Sequence, residues 1–230
     1  MRVPAVSPSR ACTWARSGGR EVVRAAATLE QALRDGRVFA AGRIAASPRA
    51  GLPSGMSALD AVLPWGGFPR GALTELLVEA DGLGELSLLL PALAELTARE
   101  RVALVAPPYI PCAPAWVRAG VTLEHLAWID TSPTRAPWTA EQCLRAGCLG
   151  AVLTWSDARD ERLLRRLQVA AGDGDGFAFL FRPARHADDA SPAALRLRIE
   201  AGADGATRLR VLKCRGATPP AAALPLPRAS

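Results

Sequence analysis

Residues 71–90 read Gly71-Ala72-Leu73-Thr74-Glu75-Leu76-Leu77-Val78-Glu79-Ala80-Asp81-Gly82-Leu83-Gly84-Glu85-Leu86-Ser87-Leu88-Leu89-Leu90. Ala72 to Val78 is a short, nearly continuous apolar run and reads as a buried strand. Residues 79–85 are a loop, and Leu86 to Ala98 reads as an apolar helix. Strand, loop and helix in this order form the setting of a phosphate-binding loop. Such a loop wraps backbone N–H groups around phosphates, neutralises them with a lysine and places a Ser or Thr on Mg²⁺. Here Gly82 and Gly84 permit the tight turn and Ser87 supplies a hydroxyl, but the lysine position is Glu85. Glu79, Asp81 and Glu85 repel a triphosphate by several kcal/mol once partly desolvated. Glu85 is favourable instead as a first-turn charge at a helix N-terminus. The loop is therefore expected to be degenerate, with no catalytic residue, no cofactor and no metal.

The pattern repeats outward. Ser57 to Leu63 reads as a short amphipathic helix, and Pro64-Trp65-Gly66-Gly67-Phe68-Pro69-Arg70-Gly71 as a tight turn. Val102–Ala106 reads as a second buried strand, and Leu126–Ile129, Gly150–Trp155 and Phe177–Phe181 as further strands. Ala140–Ala146 and Asp157–Ala171 read as helices, the second with Asp157 as its N-cap. The stretch holding Pro107, Pro108, Pro111 and Pro114 reads as non-helical. Apolar strands alternating with helices predict an α/β fold, a mostly parallel sheet covered on both faces. Leu195–Ile199 and Arg208–Val211 alternate with period two around Asp204-Gly205. They predict a C-terminal β-hairpin, apolar inside and arginine outside.

The 230 residues hold 28 basic and 22 acidic groups, and Lys213 is the single lysine. The surplus is local: residues 1–50 carry nine arginines against Glu21, Glu30 and Asp35, and the rest is neutral. That argues against a body-wide nucleic-acid footprint. Residues 1–27 read as a basic, disordered arm. Residues 28–50 read as a helix and linker, 51–215 as the core, and 216–230 as a proline-rich flexible tail. No apolar run is long enough for a membrane span. Five scattered cysteines without a C-x-x-C pair suit buried free thiols in a cytoplasmic protein, and not zinc. His125 and His186 are assigned no role. Trp65, Trp116, Trp128, Trp138 and Trp155 read as packing residues.

Two arginine sets are candidate contacts. Arg159, Arg162 and Arg166 recur at helical spacing, as a solvated face or as a docking face for an acidic partner or DNA backbone. Arg196, Arg198, Arg208 and Arg210 stand on the hairpin, as solvated edge residues or as one cationic face useful against phosphates or carboxylates.

Leu52-Pro53-Ser54-Gly55-Met56-Ser57-Ala58-Leu59-Asp60, then Gly66-Gly67-Phe68-Pro69-Arg70-Gly71, then the strand with Glu75, resembles the lead-in to a RecA-type ATPase core. Within that superfamily the chain most resembles the ImuA family, RecA-like accessories of translesion synthesis. The matching segments are Gly71–Leu77, Gly84–Leu93, Val105–Pro111, Phe179–Pro183 and Ser191–Leu197, within about residues 28–216. The resemblance implies a RecA-like fold with the ATPase site lost. Glu85 replaces the lysine, Pro107-Pro108 occupy the neighbourhood of the catalytic glutamate, and Trp155 stands where the second metal-binding aspartate would be. It further implies a non-catalytic role in damage-induced, error-prone translesion synthesis. The implied partners are an ImuB-like Y-family protein, a DnaE-type error-prone polymerase and RecA, with any DNA contact weak or indirect. Two other readings stay open: a SulA-type cell-division inhibitor, and a DNA-binding module using the basic arm and hairpin.

Overall fold

A computed structural model describes residues 51–202 and 204–226; the arm and the Thr28–Arg34 helix expected from the sequence lie outside these residues. Eight strands form one sheet: β1 Ala72–Val78, β2 Val102–Val105, β3 Leu126–Ile129, β4 Ala151–Trp155, β5 Phe177–Pro183, β6 Leu195–Ala201, β7 Thr207–Cys214 and β8 Leu224–Pro225. Their order is β3-β2-β4-β5-β1-β6-β7-β8. β1 to β6 run parallel, and β7 and β8 return antiparallel. The α/β architecture expected from the sequence is what the structure has, and it is consistent with a RecA-like core.

The helices are α1 Ser57–Asp60, α2 Glu85–Thr97, α3 Ala113–Arg118, α4 Ala136–Arg145 and α5 Glu161–Gly174. They cover the sheet from both sides, as parallel strands require. On one side, α2 lays Leu88, Leu89, Ala92, Leu93 and Leu96 against Leu76, Leu104, Leu153, Phe179 and Leu197. On the other, Ala136, Ala140 and Leu144 of α4 and Leu164, Leu167 and Ala171 of α5 meet Leu73, Val105, Val152 and Leu180. Among the described residues no helix is long and apolar enough to cross a membrane.

Several local expectations are corrected. Helix α3 starts inside the proline-rich stretch, because Pro114 falls in its first turn, where the missing N–H has no partner to lose. The cap of α5 is Asp160, whose side chain accepts the Arg162 N–H at 2.8 Å; Asp157 has other partners. Arg159 consequently precedes the helix. The supposed tail supplies β8 and a buried Leu226, so the chain is structured past residue 216. Trp116 is buried, but Trp128 and Trp138 are about half exposed and are not core residues. Cys214 is buried, which pushes its thiol up to about 11, whereas Cys112 and Cys148 are exposed.

The turn before β1 is held by a two-bond bridge: Leu52 N–H donates to Phe68 O (2.9 Å) and Phe68 N–H to Leu52 O (2.7 Å). Gly67 sits in this bridge, where a Cβ would stand 2.2 Å from Leu52 O. Its neighbour Gly66 also has positive φ but open space around it. Gly67→Ala is therefore expected to cost about 2 kcal/mol or more, a Tm fall of roughly 4–8 °C in thermal melting. Gly66→Ala should cost about half as much.

Candidate functional site

The carboxyl ends of β1, β2, β4 and β5 surround a cleft of about 430 Å³. Open parallel sheets present their ligand sites at this end. Its wall includes Glu79 and Asp81 from the loop after β1, Ala106 after β2, Trp155 at the end of β4, Asp157 beyond it, and Phe181 and Arg182 on β5. The rings of Trp155 and Phe181 stack at 4.5 Å with 4° between their planes. Ala106 adopts φ 51°, a left-handed conformation that a residue with a Cβ rarely takes.

The loop after β1, where phosphates would sit, is exposed and bonds to itself. Gly82 has φ 81° and Gly84 has φ 98°, so both glycines are used for the turn. The Gly82 N–H donates to Glu85 Oε1 at 3.2 Å. A carboxylate of the loop itself thus takes an N–H group that a phosphate oxygen would need. Asp81 accepts from the Tyr109 hydroxyl (3.1 Å), which raises the tyrosine's pKa by bond and charge together. Glu79 accepts from Arg198 (2.6 Å) and from the Ala201 N–H (3.2 Å), and these two bonds hold its carboxyl below the ordinary range.

Beside the cleft lies an ionic cluster that the sequence reading missed. Glu75, in the middle of β1, is fully buried, and parallel register sets it against Arg196 of β6. Arg196 Nε donates to Glu75 Oε2 (2.6 Å), while its two terminal nitrogens donate to Ala187 O (2.9 Å) and His186 O (2.7 Å). Arg182, buried on β5, reaches Glu75 Oε1 at 3.3 Å and Ala158 O at 2.7 Å. Ser191 Oγ donates to Glu75 Oε1 at 2.8 Å. One carboxylate therefore answers two guanidiniums and a hydroxyl; carbonyls take further donors, Asp189 lies 3.5 Å from Arg182, and the buried Arg182 Nε is left without a hydrogen-bond partner. The lone lysine, Lys213, lies opposite Arg196 and donates to Ser191 O (2.7 Å); burial, with Arg215 and Arg196 nearby, lowers its pKa.

His186, left without a role by its sequence context, is buried between two carboxylates. Its Nε2 lies 2.6 Å from Asp157 Oδ1 and its Nδ1 2.7 Å from Asp189 Oδ2. Arg185 also bonds Asp157. The His186 ring is the main reason both carboxyls sit below their ordinary range. Asp157 is thus committed to His186 and Arg185.

Of the two readings of the hairpin arginines, a free cationic face is not what the structure has, and Arg196 is not a solvated edge residue either. Arg196 points to the covered side of the sheet and is buried with Glu75. Arg198 pairs with Glu79, Arg208 with Asp204 (2.9 Å) and Arg210 with Glu200 (3.2 Å). Alternation put the arginines on one face correctly; it could not show that the segment 184–194 covers that face at Arg196. The signal for the cluster was present in the sequence, since an acid inside one buried run and an arginine ending another call for each other. On α5, Arg162 and Arg166 are exposed, and Arg166 reaches Glu141 of α4 at 2.6 Å.

No protein-family model matches the chain, and no curated protein matches it. Among solved structures, SulA from Pseudomonas aeruginosa aligns with 48% of this chain and 97% of its own, at 24% identity and a TM-score of 0.41. A likeness of that size carries no argument about family or function.

Two predictions come from the cluster. Glu75→Gln strands two buried guanidiniums and is expected to cost about 3–5 kcal/mol in urea unfolding, whereas Glu161→Gln, in an exposed pair, should change stability by under about 1 kcal/mol. A cost no larger than that of the surface variant would refute the cluster's structural weight. The second concerns acid. Asp157 and Asp189 have folded pKa values below their ordinary value of 3.8. Their contribution is fully present above that value and is lost as pH falls through the lower folded values. Asp157→Asn/Asp189→Asn should flatten the stability profile below about pH 4, as read by urea unfolding across that range.

Proposed function

We propose that this chain is a non-catalytic accessory protein of damage-induced, error-prone translesion DNA synthesis. It works by docking to an ImuB-like Y-family protein, a DnaE-type polymerase and RecA. The observation that carries the reading is the filled loop: Glu85 stands at the lysine position and its carboxylate accepts the Gly82 N–H. The motif resemblance to the ImuA family supplies the biological setting. The neighbouring groups agree with a scaffold, since Asp157 is spent on His186 and Arg185 and the cleft is walled by the Trp155–Phe181 stack. A body that has exchanged its phosphate ligands for internal pairs keeps its shape for recognition, and the partners supply the chemistry.

Tagged protein captured from DNA-damaged cells, after nuclease treatment to remove DNA bridges, is expected to bring down RecA or polymerase components. The purified chain is expected to hydrolyse ATP no faster than buffer alone. Turnover that disappears in Glu85→Ala or Asp157→Ala would end the non-catalytic reading. Recovery of the tubulin-like division-ring protein without polymerase components would move the chain to the division-inhibitor class.

A further inference from the structure

We infer that the arginine face of α5 is a docking surface for an acidic, partly apolar segment of a partner protein. The inference rests on the docking reading above and names where one contact is made and with what chemistry.

A shallow groove of about 590 Å³ is lined by Arg145 of α4 and by Glu161, Arg162, Arg165, Arg166 and Val169 of α5. The α5 residues lie three or four apart, so helical geometry stacks them along one stripe. Glu141 organises the groove from beneath. Its side chain is 6% exposed; Oε1 accepts from Arg145 Nε (3.1 Å) and Oε2 pairs with Arg166 (2.6 Å). One buried carboxylate thus joins the two helices and holds two guanidiniums side by side, with their other N–H groups facing outward. Arg165 leans on Glu161 (2.7 Å), and Arg162 has no carboxylate partner among the described residues. Four cations meet two carboxylates, a surplus that the hairpin, with its arginines paired, does not have.

Residues 51–230 are neutral as a whole, so the surplus at the groove is local, which suits a short segment better than a long polyanion. Arginines prepositioned by a carboxylate offer forked donors to carboxylates. Val169, about half exposed, gives the groove an apolar anchor of the kind that protein interfaces place among arginines. The lining has no aromatic ring on which a base could stack.

The test is fluorescence polarisation with the full chain and a labelled synthetic amphipathic peptide. The peptide carries glutamates at i, i+4 along one face and leucine between them. Binding is expected, and Arg162→Ala/Arg166→Ala is expected to weaken it about tenfold or more, close to 1.4 kcal/mol, with an unchanged circular dichroism spectrum. Glu141→Gln separates an organised groove from simple charge: it makes the surface more positive, yet binding should weaken. Equal binding of a glutamine version of the peptide would overturn the proposal. So would tighter binding of a labelled DNA duplex, or indifference to the double substitution. Failure here is distinguishable from failure of the translesion reading. Peptide binding without any polymerase in the capture experiment sinks that reading alone. Wild-type capture by the doubly substituted chain sinks this surface alone.

Discussion

The buried contact between Glu75 and the two guanidiniums of Arg182 and Arg196 is the constraint around which the sheet is arranged. A lone charge at the centre of a parallel sheet would cost many kcal/mol. It is tolerated here because three neighbouring strands each contribute a member and because carbonyls of residues 158, 186 and 187 take three further guanidinium donors. The cluster therefore fixes more than itself. It sets the register of β1 against β6, and it pins the segment 184–194 across the face that α4 and α5 leave open. Through that segment it places His186 between Asp157 and Asp189 at the mouth of the cleft.

On the reading proposed above, this arrangement accounts for a scaffold whose loop and strand ends are served by the chain's own side chains. A phosphate bound at such a loop would bring negative charge to helix and strand ends. Here those ends meet carboxylates supplied by the chain: Glu85 to the loop N–H, Glu79 to Arg198 and the Ala201 N–H, Asp157 to His186 and Arg185. Each is local and each is answered. The end of the sheet is thereby closed with internal pairs, while the back of α5 keeps arginines that nothing in the described residues fully answers.

Much of the fold was legible in the sequence because its signals are local. The runs at Ala72–Val78, Val102–Val105 and Phe177–Phe181 have the length and composition of buried parallel strands. The period-two alternation of Leu195–Ile199 and Arg208–Val211 marks a hairpin. What could not be read depends on distant packing. Alternation places Arg196 on the polar face of its strand, but only the path of residues 184–194 decides that this face is covered. Asp157 has the spacing of a helix cap, yet the helix begins later and Asp160 takes the role. Pro114 looks like a barrier and is instead a first-turn residue. Of the candidate site, the glycine turn and the acid at position 85 were legible in the sequence, whereas the His186 pair and the Glu141 support of the arginine groove join residues from different elements.

The central place of β1 also has a consequence for synthesis. Its two sheet neighbours are β5 and β6, and Glu75 meets Arg182 and Arg196 across 107 and 121 residues. At a translation rate of roughly 5–20 residues per second, Glu75 leaves the ribosome on the order of 5–25 seconds before its counter-charges exist. During that interval β1 has neither neighbour and carries an acid whose two guanidinium partners have not yet been made. That charge keeps the waiting strand hydrated and discourages it from pairing with another nascent chain. The same carboxylate is thus a guard on the ribosome first and a structural centre afterwards.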